Sequence, residues 1–498
     1  KIRRDRLPCV KMELPKKPRH IRRVSMENII QQIVEDFTKK ILEKAYSGGI
    51  SDVDSLSSAV LEDCKTAARN ILEVIVSELN IQIRNDKAVR KEKGLVIKEK
   101  NRERSLLTEL GKLSLSRDYY YDKKEGKYEY PLDQVIGLQG YERISAGVSA
   151  KLVSMATEVS YAKSAEIVTG GEVSRQSVRE CIVRLGGIEK KPRQEGAKRK
   201  VKELHIFADE DHVHMQREGK EKGKKNQMVP LVTVTEGIEE ESKGRKRRKR
   251  SKKAMHFVDE KFDTKALWKS VEGYIGAVYE VESIEKIYIH ADGGKWITKG
   301  LENFSNVIRI MDGFHLEQRL KAVNRKFPNS NYGQRIKEAI RKDEQKKLKM
   351  LLQEMYGKSL DKKQKEFTAE LGRYLRENYE EIRNRLRSDG VGSCTEGQVS
   401  HVLSARFSRN PMGWSEEGLG KLSKQRVYIK NHGKIEASDF KKGVKREFGY
   451  REYADRILEE ACRGAKDFSI FEKGAPIFDV ASGTQKIIRQ MGMNRNII

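Results

Sequence analysis

Cysteine is scarce in this 498-residue chain, and long apolar runs are missing. The five cysteines (Cys9, Cys64, Cys181, Cys394 and Cys462) are scattered, and no two form a Cys-x-x-Cys pair. That spacing argues against a disulfide framework and for reduced, mostly buried thiols in a cytosolic protein. No stretch approaches about 18 consecutive apolar residues, so none reads as a membrane span. The opening Lys-Ile-Arg-Arg-Asp-Arg-Leu-Pro lacks the apolar core of a secretory signal. It also lacks an initiator Met, as a fragment or a trimmed numbering would. Acidic residues are in deficit as well: 74 against 102 Lys plus Arg, a formal net charge of +28. An excess of this sign and size captures polyanions, and the expected partner is nucleic acid met in the cytoplasm.

What is present is a change of texture along the chain. Residues 26–42 and 55–83 carry apolar residues at helical spacing, and 86–104 are mostly charged, the pattern of a linker or a solvated helix. Residues 112–130 alternate and then turn through a glycine, predicting a β-hairpin. Residues 160–184 predict two helices. Ala162, Ala165 and Ile167 face inward on the first, Thr169–Glu172 form the turn, and Ser174 caps the second, whose Val178 and Ile182 face in. As a helix-turn-helix, the pair leaves Arg175, Gln176 and Arg179 for a DNA groove; an ordinary helical hairpin fits the same pattern.

From residue 203 strands are predicted at 203–208, 227–235, 254–258, 286–291 and 306–311, with a helix from Lys265 to Val278. They predict a mixed sheet covered by helices, of the α+β or α/β class. The run Gly-Arg-Lys-Arg-Arg-Lys-Arg-Ser-Lys-Lys (244–253) is expected to be a mobile, self-repelling loop. Its Arg245, Lys246, Arg247, Arg248, Lys249 and Arg250 are candidates for phosphate contact. Residues 316–388 return to helical periodicity. The expected divisions are therefore 1–104 (helical), 105–200 (hairpin and helix-turn-helix), 201–316 (sheet), 317–390 (helical insertion), 391–450 (sheet domain resumed) and 451–498 (helical tail).

Three acids stand where such elements begin or end. Asp209 closes Leu-His-Ile-Phe-Ala, Asp292 closes Ile-Tyr-Ile-His-Ala, and Glu396 opens a helical stretch with Val399, Leu403 and Phe407 on its own side. Carboxylates at strand ends and on a packed helix can converge, and a few of them suffice for Mg²⁺ or Mn²⁺ because phosphate and water complete the octahedron. Two such ions cut or join phosphodiesters. Each acid also has a plain role: Asp209 or its neighbour Asp211 as a turn residue, Asp292 in Asp-Gly-Gly as a turn or cap, and Glu396 in a capping box with Ser393. Asp312 can cap the next helix, or with His315 support the metal or the phosphate. His212-Val-His214 lacks the further ligands that zinc needs.

Four blocks, Ala-Asp-Glu-Asp-His-Val-His (208–214), His-Ala-Asp-Gly-Gly-Lys-Trp-Ile (290–297), Met-Asp-Gly-Phe-His-Leu (311–316) and Thr-Glu-Gly-Gln-Val-Ser-His-Val-Leu-Ser-Ala-Arg (395–406), resemble the ISLre-type bacterial insertion-sequence transposases. That group is similar in turn to Mutator-like transposases. The resemblance spans roughly residues 100–425. It implies an RNase H-like fold with a helical insertion, and a triad of Asp209, Asp292 and Glu396 holding two Mg²⁺ or Mn²⁺ ions. Asp312 with His315, and Arg406 ten residues after Glu396, fit the family's supporting elements. His212 stands where an aromatic is usual, which keeps Asp211 open as the first acid. The implied activity is cleavage and strand transfer at transposon ends in double-stranded DNA, by a homodimer or larger assembly on the bacterial nucleoid. A nuclease without strand transfer and a non-catalytic DNA-binding protein are the rival expectations.

Overall fold

The computed structural model describes residues 26–46, 52–189, 197–216, 226–243, 246–292, 294–302, 304–328, 330–387, 395–410 and 412–441. The protein mixes helices with mixed and antiparallel sheets, and the described residues up to Ser145 and those from Ala146 form two separate compact units.

The first unit opens with helices α1 (Met26–Tyr46), α2 (Val53–Asn85) and α3 (Lys87–Lys93). An antiparallel sheet follows, β1 (Leu95–Thr108), β2 (Gly111–Asp122) and β3 (Lys127–Glu129), and then the short helix α4 (Pro131–Ile136). Asp52 caps α2 by accepting from the Ser55 N–H. The core forms where Val76, Leu79 and Ile83 of α2 meet Leu106, Leu113, Leu115 and Tyr120 of the sheet and Leu132 and Val135 of α4. The hairpin between β2 and β3 follows the expectation: Asp122 accepts from the Lys124 and Glu125 amides, and Gly126 takes the positive φ. The charged stretch 86–104, however, is α3 and most of β1 rather than a linker. The register of β1 slips between Ile97 and Arg102, which erases the period-2 signal that a regular strand would show.

The second unit begins with α5 (Ala146–Ala156), α6 (Tyr161–Thr169) and α7 (Arg175–Leu185). Ser174 caps α7, while Val178 and Ile182 are fully buried, as expected. On α6 the inward face is Ser164 and Ala165; Ala162 and Ile167, expected inside, are exposed. The Ser164 hydroxyl, donating to the Leu152 carbonyl at 2.7 Å, sets that rotation.

The sheet of this unit contains β4 (Glu203–His214), β5 (Asn226–Thr235), β8 (Met255–Phe257), β9 (Lys286–Ala291) and β10 (Val307–Met311), in the order β10-β9-β4-β5-β8. Pairs β4–β5 and β5–β8 are antiparallel, whereas β4–β9 and β9–β10 are parallel. Helix α8 (Thr264–Val278) links β8 to β9, and α9 (Lys295–Gly300) links β9 to β10. One face of the sheet packs Leu204, Ile206, Ala208, Val232, Val234, Ile287 and Ile289 against Leu267, Trp268 and Val271 of α8. Residues 246–251 of the basic run form a strand rather than a loop. Strand β6 (Ile238–Lys243) pairs with β7 (Lys246–Ser251), and the register sets Glu239, Glu240 and Glu241 opposite Arg250, Lys249 and Arg248.

After β10 come five helices, α10 (Gly313–Lys326), α11 (Tyr332–Arg341), α12 (Gln345–Gly357), α13 (Lys362–Glu377) and α14 (Tyr379–Arg387), built on their own core of Leu316, Leu320, Ile336, Leu351, Leu371, Leu375 and Ile382. The chain then returns to the sheet through α15 (Thr395–Val399), a π-helical stretch (Ser400–Ser404), α16 (Ala405–Phe407) and α17 (Glu416–His432).

Candidate active site

Strand β4 does not end at Asp209. It runs on to His214, still paired with β5, but its parallel partner β9 stops: the last β4–β9 pair is Phe207 with His290. The last β9–β10 pair is Ala291 with Met311, and the Asp312 amide donates to the Ala291 carbonyl at 2.8 Å. Continuing both registers by one or two residues brings Asp209, Asp292 and Asp312 side by side where the parallel pairing of β4, β9 and β10 ends. Strand alternation puts Asp209 on the face opposite the α8 core, with Phe207 and His205. On that face His205 Nδ1 and His290 Nε2 lie 3.1 Å apart, and the Phe207 and His290 rings stack. Burial, then the neighbouring His205 and Arg385, push the His290 imidazole down to about 3, so it is neutral.

Each of the three aspartates uses one oxygen on a backbone amide. Asp209 Oδ1 accepts from Glu210 (2.8 Å), Asp292 Oδ1 from Gly294 (3.0 Å) and Asp312 Oδ2 from Phe314 (3.1 Å). The turn and cap roles of Asp292 and Asp312 are therefore real, and they orient the carboxylates. Among the described residues the second oxygens of Asp209 and Asp292 make no hydrogen bond. Asp209 is 8% exposed and Asp312 2%, while Asp292 is half-buried. Burial pushes the Asp209 carboxyl up to about 7; the Glu210 amide opposes this, and the charges of Asp292, Glu210 and Asp312 add to it. Such a cluster fits a hard cation, which would supply the missing counter-charge. No group of three His, Cys, Asp or Glu among the described residues forms a ready-made cage.

Asp211 lies on the same face but belongs to a different neighbourhood. Burial raises its carboxyl, and the hydroxyls of Ser408 and Ser404, at the far end of the π-helical stretch, favour the ionised form. Helix α15 packs on β4, and Gln398 Nε2 donates to the Ser251 hydroxyl at 2.9 Å. Glu396 is the second residue of α15; its side chain, like Ser393 and those of Arg245–Arg250, lies outside the described residues. Val399, Leu403 and Phe407 are all buried, as the helical spacing predicts.

Arg406 is used elsewhere. It is 4% exposed, donates to the Ala156 carbonyl at 2.8 Å and lies 4.7 Å from the Trp414 ring centre. Burial lowers its guanidinium to about 10. His315 is half-buried on α10 next to Phe314. His212 and His214 share one face of β4, and both are exposed. Arg175 and Gln176 are exposed at the start of α7, whereas Arg179 pairs with Glu417 at 3.0 Å. Two residues went unnoticed in the sequence. Tyr374 of α13 feels the charges of Asp292 and Asp312, and Arg319 lies 4.0 Å from the Tyr374 ring centre. The signal for Arg319 was its place one helical turn after His315.

The chain belongs to the family described as Uncharacterised protein family (UPF0236), which it matches over residues 49–443. A UPF0236 protein of Caldanaerobacter subterraneus subsp. tengcongensis is 34% identical over 444 residues, 88% of this chain and 91% of its own length. Its name joins eleven gene designations of that organism. A second UPF0236 protein of the same organism is 33% identical over 468 residues, 92% of each chain. A UPF0236 protein of Streptococcus gallolyticus, named for the vanSb 3′ region, is 25% identical over 317 residues, 59% of this chain and 66% of its own.

Proposed function

We propose that this protein is the transposase of a bacterial insertion sequence, cutting and joining DNA at an acidic centre of Asp209, Asp292 and Glu396. The observation that carries the reading is the alignment of Asp209, Asp292 and Asp312 where the parallel pairing of β4, β9 and β10 ends, with the helix bearing Glu396 packed on β4. The strand order β10-β9-β4-β5-β8, antiparallel on one side of β4 and parallel on the other, supports an RNase H-like sheet. Helices α10–α14 take the place of the expected helical insertion. They make up most of the 104-residue separation of Glu396 from Asp292 (396 − 292).

Asp209, Asp292 and Glu396 would hold two Mg²⁺ or Mn²⁺ ions, which when bound activate the attacking oxygen and stabilise the leaving one. With its carboxyl pushed up to about 7, Asp209 is about half protonated at neutral pH, and bound cations would favour its ionised form. The amide bonds of Asp292 and Asp312 hold both carboxylates in fixed directions, so little reorganisation remains at the moment of reaction. Arg319, held over the Tyr374 ring that feels Asp292 and Asp312, brings positive charge to the side from which a phosphodiester would approach. Arg175 and Gln176 on α7 supply exposed donors for double-stranded element ends and target, and the basic composition of Lys246–Ser251 adds positive charge. The eleven gene designations under one relative's name also support the reading, because a DNA segment that copies itself leaves one product at many loci.

The test uses purified full-length protein, labelled duplexes taken from the DNA on either side of the gene, and Mg²⁺. Cleaved and strand-transferred products are expected, and Asp292→Asn should reduce both by about 10²- to 10³-fold while duplex binding persists. Undiminished cutting by the variant would remove the acidic centre from the mechanism. Cleavage with no joined product would leave only a nuclease.

A further inference from the structure

The first unit carries a surface that the acidic centre does not use. On β2, the buried Asp118, Tyr120 and Asp122 alternate with Tyr119 and Tyr121, which point to the opposite face. There the Tyr119 and Tyr128 rings stack at 5.1 Å between centres, Tyr119 and Tyr130 lie 4.8 Å apart, and Tyr121 and Tyr128 4.9 Å. Four rings thus form one continuous aromatic patch, and Tyr128 within it is 56% exposed. Cations are interleaved with the rings: Arg102 sits 5.3 Å from the Tyr119 centre, Lys98 5.4 Å from Tyr121 and Arg117 3.6 Å from Tyr130. Arg117 also pairs with Asp133, and Arg102 approaches Glu99 at 3.9 Å.

The irregular register of β1 aims those cations. Asn101, in the left-handed region at φ 56°, donates its amide to Asp118 Oδ1 at 3.0 Å, and Arg84 and Asn80 of α2 bond the same carboxylate. A bulge anchored from the core re-aims the residues beside it, here Lys98 and Arg102. The hydrophobic core lies on the other side of the sheet, so burial does not account for the tyrosines.

We propose that this face binds unpaired DNA, with bases stacking on the tyrosines and the backbone running past Lys98 and Arg102. Flat rings matched to bases and cations matched to phosphates are the two halves of a sequence-tolerant single-strand site. A folded protein partner would need an apolar centre that this patch of hydroxyl-bearing rings and charges does not supply. The choice of DNA over RNA rests on the transposase reading; the stacking surface does not.

The experiment is fluorescence anisotropy of full-length protein with labelled oligo(dT), oligo(rU) and a blunt duplex, in EDTA so that the acidic centre is silent. Tyr119→Ala with Tyr128→Ala should weaken oligo(dT) binding by roughly 5- to 150-fold, the range expected for losing base stacking. Duplex affinity should change less than about twofold. Tyr128→Phe, which keeps the ring, should bind like the wild type, and so should Asp292→Asn, which separates this face from the acidic centre. Unchanged oligo(dT) affinity in the double variant, or an equal loss on duplex, would overturn the proposal. Tighter binding of oligo(rU) than of oligo(dT) would overturn the assignment to DNA.

Discussion

Asp118 and Asp209 are both buried carboxylates on strands, and the protein treats them in opposite ways. Asp118 is fully buried and receives Arg84 at 2.6 Å, the Asn101 amide and Asn80. Burial alone would raise its carboxyl; those partners outweigh burial and hold it below the usual range. Asp209 is nearly as buried, yet the charges acting on it are those of Asp292, Glu210 and Asp312, and its carboxyl is pushed up to about 7. A charge that the fold neutralises is scaffold. One that the fold leaves among like charges costs stability, and such sites are where function concentrates. The contrast separates the two acids more clearly than burial or sequence context does.

The largest expected effect of breaking the contrast is on stability. Asp118→Ala strands the Arg84 guanidinium and releases the bulge in β1, and should cost about 3 kcal/mol, at the low end for breaking a buried pair because Arg84 reaches water. The urea midpoint of the first unit measures it; a loss below about 0.5 kcal/mol would show that the pair contributes no more than a surface pair does. Divalent ions probe the other side of the contrast. Mg²⁺ at 100 times its dissociation constant should stabilise the wild type by about 2.7 kcal/mol. The gain should be greater at pH 8 than at pH 5.5, because the ion must displace the Asp209 proton at the lower pH. Thermal unfolding with and without Mg²⁺ reads this directly, and Asp292→Asn should lose most of the gain.

Asp209→Asn tests the same carboxyl without metal. The folded protein holds this proton up to about pH 7, while the unfolded chain releases it near pH 4. The folded state therefore binds more protons across that window. The stability associated with Asp209 is present below about pH 4 and is lost as pH rises through about 7. Asparagine cannot titrate, so in EDTA the variant should exceed the wild type by roughly 1–3 kcal/mol at pH 8, with a smaller difference at pH 5. Urea titrations at the two pH values decide it; a variant less stable at pH 8 would mean that the acid cluster does not repel itself.

Much of this architecture is legible in the sequence because it rests on local pattern. The runs 204–208 and 286–291 are short and mostly apolar, α8 begins one residue before its predicted start, and the stripe Val399, Leu403, Phe407 is buried throughout. What could not be read depended on partners distant in sequence. Strand β7 pairs with β6, and the basic run by itself gives no sign of that partner. The bulged half of β1 loses its alternation where Asp118 and Arg84 hold it. At the site, Asp209 and Asp292 were legible as run-ending acids. The continuation of β4 to His214 was not, since its last residues alternate charge with burial only because β5 accompanies them. Arg406 was legible only as a spacing after Glu396; its bond to Ala156 and its place against Trp414 are tertiary.

Asp211 is the intermediate case, and it gives the smallest and most discriminating effect. It is 9% exposed, with Oδ2 lacking a hydrogen-bond partner, and it faces hydroxyls of Ser404 and Ser408 rather than other carboxylates. Asparagine keeps one acceptor for those hydroxyls and offers them donors as well, while removing a charge that burial disfavours. Asp211→Asn should therefore change stability by less than about 1 kcal/mol, within the range of a single neutral hydrogen bond. If Asp209 is the first acid, the variant should also retain Mg²⁺-dependent cleavage within about tenfold, against the 10²- to 10³-fold loss expected for a group that stabilises charge directly. The two substitutions differ by two residues on one face of one strand. Parallel rate measurements on Asp209→Asn and Asp211→Asn therefore isolate the neighbourhood of each carboxylate as the variable. A larger loss in Asp211→Asn would transfer the role of first acid to the residue facing the π-helical stretch.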